Sequence, residues 1–77
     1  MNKKMLIDKK IVLGRLFRLY DGGGDYCDIY FGKDCIDTIN TWDYQRNERD
    51  MTLAEIRKEF ANWCEESAPD YIDNYNL

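Results

Sequence analysis

The sequence predicts an α+β fold: a small antiparallel β-meander of about three strands covered by one amphipathic C-terminal α-helix. Three observations carry this. Tyr26–Phe31 alternates, with Cys27, Ile29 and Phe31 on one face and Tyr26, Asp28 and Tyr30 on the other. Turn-forming runs, Gly22-Gly23-Gly24 and Gly32-Lys33-Asp34, bracket that segment. Thr52-Leu53-Ala54-Glu55 has the spacing of a capping box. It opens an apolar stripe of Leu53, Ile56, Phe60, Trp63 and Cys64 at helical intervals.

The 77 residues fit a single domain, 1–77. Residues 1–9 read as a basic N-terminal segment, 10–42 as the sheet, 52–66 as the helix and 68–77 as an acidic aromatic tail. Lys10–Tyr20 reads as the first strand. Helical spacing of Leu13, Leu16, Phe17 and Tyr20 is its competing reading, and Gly14 weakens both. Cys35–Trp42 reads as the third strand. Ile36 and Ile39 fall on opposite faces of a regular strand, so either a bulge separates them or both faces are covered. Tyr44–Asp50 is a polar connection. Pro69 ends the helix near Ser67, or else opens a further short turn over Asp70–Tyr75. The tail is expected to strap Tyr71, Ile72 or Tyr75 beside the core. The expected core is Leu13, Leu16, Ile29, Phe31, Ile36, Leu53, Ile56, Phe60 and Trp63.

Several chemistries are missing their residues. The chain has no histidine, which removes His-based nucleophile pairs, acid–base catalysis and metal sites. Its three cysteines, Cys27, Cys35 and Cys64, are an odd number without a Cys-x-x-Cys pair, so they read as small apolar residues in a reducing compartment. The glycine run lacks a following Lys-Ser or Lys-Thr and is flanked by Asp21 and Asp25, so it reads as a loop rather than a phosphate cradle. No catalytic residue, metal ligand or cofactor is expected, and the protein is read as a non-enzyme. No apolar run is long enough for a membrane span or a signal peptide, and a cytoplasmic location is expected.

The net charge of −4 conceals an asymmetry: residues 1–18 carry +5 and residues 19–77 carry −9. Many carboxylates stand beside aromatics. Asp25, Tyr26, Asp28, Tyr30, Asp37, Asp43, Tyr44, Asp70, Tyr71 and Asp73 are therefore the candidate partner-binding residues. Tyrosines anchor interfaces, and interspersed carboxylates complement a basic surface such as the phosphate-gripping channel of a nucleic-acid enzyme. An ordinary solvated surface has the same composition.

A 77-residue acidic α+β chain resembles the small inhibitors encoded by phages and mobile elements, of the anti-CRISPR or anti-restriction type, and its usage rich in Lys, Asn, Ile, Asp and Tyr, with one Pro and no His, resembles that of genes of low-GC Gram-positive bacteria or their phages. The resemblance is one of type and transfers no residue role. It implies a non-catalytic, stoichiometric inhibitor of a host nucleic-acid-handling complex such as a CRISPR nuclease, with a DNA-mimic character that the basic start departs from. The expected partner is a host protein or nucleoprotein complex with a basic surface, and the chain itself a monomer or weak dimer. Two other classes compete. One is direct nucleic-acid binding, by Lys3, Lys4, Lys9, Lys10, Arg15 and Arg18 with Phe17, Tyr20, Tyr26 or Tyr30 for stacking. The other is a structural or regulatory subunit that dimerises through a sheet edge or the tail.

Overall fold

A computed structural model describes residues 5–22, 24–43 and 49–76, with the backbone alone for Asp43, Arg49 and Asp50. Four strands, β1 (Leu6–Val12), β2 (Arg15–Asp21), β3 (Tyr26–Phe31) and β4 (Asp34–Asn40), form an antiparallel meander in chain order. A short ladder pairs β5 (Trp42–Asp43) with β6 (Arg49–Asp50). Two helices follow, α1 (Leu53–Glu66) and α2 (Ala68–Tyr75). The α+β class therefore stands, with four meander strands in place of about three and two helices in place of one.

The extra strand comes from a turn inside the segment expected to be one strand. Val12 pairs with Arg15 across the two-residue loop Leu13-Gly14. Both loop residues have positive φ, 50° and 79°, the pattern of a type I′ hairpin turn. Gly14 adopts this conformation without strain, whereas Leu13 does so against the clash of its Cβ with the backbone. The turn folds Lys10–Tyr20 back on itself. It also draws residues 6–9, expected to be a separate basic segment, into β1.

Phe17, Leu19 and Ile29 lie on one sheet face and are fully buried there, and Cys27 is nearly so. Phe17 stands opposite Phe31, and Leu19 opposite Ile29. In β4 the register slips between Ile29 and Tyr30, leaving Ile36 as the extra residue of a bulge. That bulge is what lets Ile36 and Ile39 both pack against the core, and it answers the question the sequence left open.

The capping box forms as the sequence indicates. Glu55 donates its amide to Thr52 Oγ1 at 3.3 Å, and Thr52 donates its own to Glu55 Oε1 at 2.9 Å. Helix α1 touches both edge strands, β1 and β4, so it lies across the sheet. Its buried line is Ile56, Phe60 and Cys64, with Trp63 half-buried. The Trp63 indole donates to Asp37 Oδ2 at 2.8 Å, tying helix to sheet. The tail is a second helix rather than an irregular strap. Pro69 sits in its first turn, and Ala68 and Ile72, one turn apart, complete the core.

Three expected core residues are instead exposed, for identifiable reasons. Leu13 occupies the turn, Leu16 has opposite strand parity to Phe17, and Leu53 lies at the first helical position beside Met5 and Met51. Phe17, Leu19, Cys27, Cys64, Ala68 and Ile72 take their place. The third strand ends at Asn40 rather than Trp42, and of the expected polar connection residues 44–48 lie outside the described residues. Among the described residues no helix is long and apolar enough to cross a membrane.

Two stability predictions follow from these placements. Phe60→Ala should cost about 3–5 kcal/mol, whereas Leu53→Ala should cost about 1 kcal/mol or less. Urea denaturation of the two variants reads the difference, and equal losses would contradict the buried line. Leu13→Asn should raise stability by about 0.5–1 kcal/mol, because asparagine tolerates the left-handed conformation and Asn-Gly is the preferred type I′ pair. A thermal melt that moves downward would show that the turn is not of this type.

Candidate functional site

The candidate partner-binding residues that the structure describes divide between two sides of the molecule. Tyr26, Asp28 and Tyr30 point away from the helices, on the face of the sheet left uncovered by the described residues, and Asp25 precedes them in the turn. Asp70, Tyr71 and Asp73 belong to α2, in the helical layer. Asp37 is engaged by Trp63. The Asp43 side chain and Tyr44 lie outside the described residues. The structure thus brings together two sets of three rather than one surface of ten.

The helical set is acidic and aromatic. Asp70 and Asp73 are exposed, as are Glu59, Glu65 and Glu66 of α1. The rings of Tyr71 and Tyr75 meet at 4.6 Å, with Tyr71 anchored edge-on against Phe17 and Tyr75 64% exposed. A rigidly based tyrosine pair is therefore presented beside carboxylates. The last turn of neither helix carries a basic residue, although Glu65, Glu66 and Asp73 sit there. A carboxylate at a helix C-terminus opposes the helix dipole by about 0.3–1 kcal/mol. These acids are therefore not placed to stabilise their own helices. Glu59, Glu65, Glu66 and Tyr75 were absent from the sequence-derived set. The signal was available in the two helix ends, where acids stand without a single balancing base.

The uncovered sheet face differs in character. From β1 it carries Leu6, Lys9 and Ile11, from β2 Leu16, Arg18 and Tyr20, and from β3 Tyr26, Asp28 and Tyr30. Tyr20 and Tyr30 meet edge to face at 5.3 Å. The Arg18 guanidinium lies 5.6 Å from the Tyr20 ring and donates to the Gly32 carbonyl. A Cβ at Gly22 would lie 2.8 Å from an Asp28 carboxylate oxygen, so a larger residue there would turn the Asp28 side chain aside. Of the residues weighed for nucleic-acid contact, Lys9, Arg18, Tyr20, Tyr26 and Tyr30 share this face. Phe17 is in the core, and Lys10 and Arg15 stand on the opposite side. Lys3 and Lys4 lie outside the described residues.

Both edge strands of the sheet are interrupted by the same device. In β1 a bulge at Ile7 interrupts the register, and Asp8 Oδ1 accepts the Lys9 amide at 2.8 Å. Arg57 Nε donates to the Ile7 carbonyl at 3.5 Å. In β4 the bulge at Ile36 is followed by Asp37 Oδ1 accepting the Thr38 amide at 2.8 Å. An outward amide already taken by a side chain cannot template another strand.

Cys64 is buried at the base of an open cleft between the first hairpin and the helix junction, lined by Lys10, Val12, Leu13, Glu65 and Pro69. Burial pushes its thiol up to about 11. Lys10 opposes the shift and Asp8 adds to it. Burial, with Asp21 next, also raises Cys27. Neither thiol is a thiolate at neutral pH, so neither is an activated nucleophile. Among the described residues no group of three or more His, Cys, Asp or Glu side chains is placed to hold a metal ion.

Comparison with protein-family models, with curated proteins and with solved structures gives no match.

The raised Cys64 thiol has a testable consequence. Its contribution to stability is fully present below its ordinary value of 9.0 and is lost as pH rises towards about 11. Melting temperature should fall across that window, and Cys64→Ala should flatten the fall. Iodoacetamide at neutral pH should label exposed Cys35 in the native protein, and Cys27 and Cys64 only after unfolding. Native labelling of all three would contradict the core.

Proposed function

We propose that this protein is a non-catalytic binding protein that docks its acidic helical layer on a basic protein surface. The single observation that supports this is the exposed acids of the helical layer: Glu65, Glu66 and Asp73 stand in last turns that carry no base, and Asp70 stands in the first turn of α2, the helix that presents the Tyr71–Tyr75 pair. Carboxylates held against a helix dipole lower the protein's own stability, so their placement favours a use outside the chain. The tyrosine pair supplies apolar contact area at low entropic cost, and the acids supply steering and register. The partner favoured is a host complex that grips nucleic acid, because its phosphate-binding surface offers rows of Lys and Arg. Occupying that surface would inhibit the complex in a one-to-one manner, in keeping with the resemblance to anti-CRISPR and anti-restriction inhibitors.

The experiment is capture from a nuclease-treated lysate of a low-GC Gram-positive bacterium expressing a CRISPR nuclease. Wild type should retain a protein partner whose affinity falls as salt rises. Asp70→Lys/Asp73→Lys, with an unchanged circular dichroism spectrum, should lose it at least tenfold. Capture that is indifferent to salt, or undiminished in the double variant, would overturn the reading. So would recovery of nucleic acid alone before nuclease treatment.

A further inference from the structure

The uncovered face of the sheet plays no part in that reading, yet it holds half of the large apolar side chains that are exposed among the described residues. Leu6, Ile11, Leu16 and Tyr26 are 46%, 73%, 43% and 51% exposed and all lie on it. Of the other four, Leu13 lies in the hairpin turn and Tyr75 on α2, while Met5, just before β1, and Leu53, at the start of α1, lie beside each other. Tyr20 and Tyr30 extend the patch on the sheet face. A sheet face this apolar is ordinarily covered.

Its charges are also sorted. Lys9 and Arg18 stand directly opposite one another on β1 and β2, a like-charge cross-strand pair that is unfavourable in an isolated sheet. Asp28 stands on β3, opposite Tyr20 and Thr38. The β1–β2 half of the face is therefore cationic, and the β3–β4 half carries the carboxylate.

We infer that the uncovered sheet face is a self-association surface, on which two copies of this chain pack face to face about a twofold axis running along the strands. That axis lays β1 and β2 of one copy over β4 and β3 of the other. The Lys9–Arg18 half then faces the half that bears Asp28, twice over by symmetry. A twofold axis across the strands would instead set each cationic strand pair against its own copy. Pairing edge to edge is disfavoured, because a bulge and one amide taken by Asp8 or Asp37 interrupt each of β1 and β4. Stacking leaves the apolar side chains of both faces between two sheets, in the manner of a β-sandwich.

The size of the face sets the strength of the association. Four strands about 4.8 Å apart, each rising about 3.3 Å per residue over six or seven residues, span roughly 400 Å² in projection. A standard interface buries about 800 Å² per partner. Even with the relief of the side chains added, the face suits a reversible, concentration-dependent dimer rather than an obligate one. The acidic helical layers point outward from such a dimer, so the pairing neither needs nor obstructs the docking proposed above.

The test is sedimentation equilibrium on the full chain from about 5 μM to about 1 mM. Wild type should move from the 9.2 kDa monomer to twice that mass. Ile11→Glu should hold it at the monomer; Ile11 is largely exposed, so the fold, checked by circular dichroism, should be retained. Leu53→Glu, off the face, and Asp70→Lys/Asp73→Lys should dimerise as wild type does, which separates this inference from the docking reading. A monomer at every concentration would overturn it, as would a dimer that survives Ile11→Glu. A monomer that instead binds a fluorescent oligothymidylate through Arg18 and Tyr30 would assign the face to single-stranded nucleic acid and also overturn it.

Discussion

Phe17 is the side chain on which the two layers depend. It is fully buried and contacts Phe31 from β3 at 5.4 Å, Trp63 from α1 at 5.5 Å and Tyr71 from α2 at 6.4 Å. One ring from the second strand therefore meets the sheet and both helices. Aromatic contacts of this geometry add about 0.5–1.5 kcal/mol each beyond the area they bury. In a chain of 77 residues, whose total margin is a few kcal/mol, that concentration matters. It also explains why the C-terminal segment is ordered: Tyr71 reaches Phe17, and Ala68 and Ile72 close the core beneath it.

What places Phe17 inward is the hairpin turn two residues before β2. Strand parity is counted from the pair Val12–Arg15, so Phe17 and Leu19 face the helices while Leu16, Arg18 and Tyr20 face away. The sequence made the α+β class, the alternation of β3 and the capping box legible, because each rests on local chemistry at fixed spacing; for Ile36 and Ile39 it left a bulge and a doubly covered strand as alternatives. It did not make this turn legible. Leu13 is an unfavourable residue at positive φ, so Leu-Gly carries a far weaker signal than Asn-Gly, and Lys10–Tyr20 reads as one apolar run. From that single miss came the others in the sheet: the strand count, the burial assigned to Leu13 and Leu16, and the separation of the basic start from β1. The second helix was harder to see for a different reason. Eight residues are too few to show a stable period, and the turn depends on docking against Phe17 more than on its own propensity.

The candidate surfaces were legible only by residue type. Pairing carboxylates with neighbouring tyrosines along the chain found Asp70, Tyr71 and Asp73, which the structure keeps together. It joined them to Tyr26, Asp28 and Tyr30, which the sheet puts on the other side. Proximity in sequence cannot tell the two sides of a two-layer domain apart. Asp37 shows the same limit from another direction. It was chosen as a surface acid, yet it spends one oxygen on the Trp63 indole and the other on the Thr38 amide. Its work is to hold helix to sheet and to interrupt the β4 edge.

Asp8 and Asp37 are equivalent in this respect, and their equivalence bears on how the whole molecule meets others. Each follows or adjoins a bulge, and each satisfies the amide of the next residue on an outer strand. A small sheet with two open edges would polymerise, since every copy would offer both donor and acceptor edges to the next. A bulge and a capped amide on each edge work against that open-ended route. In the proposed pairing the face between them takes one further layer, and a face covered by a twin would offer nothing to a third copy. Under the face-to-face pairing proposed above, the interrupted edges and the apolar face would belong to one arrangement, one that limits association to a finite assembly with the acidic helical layer on the outside.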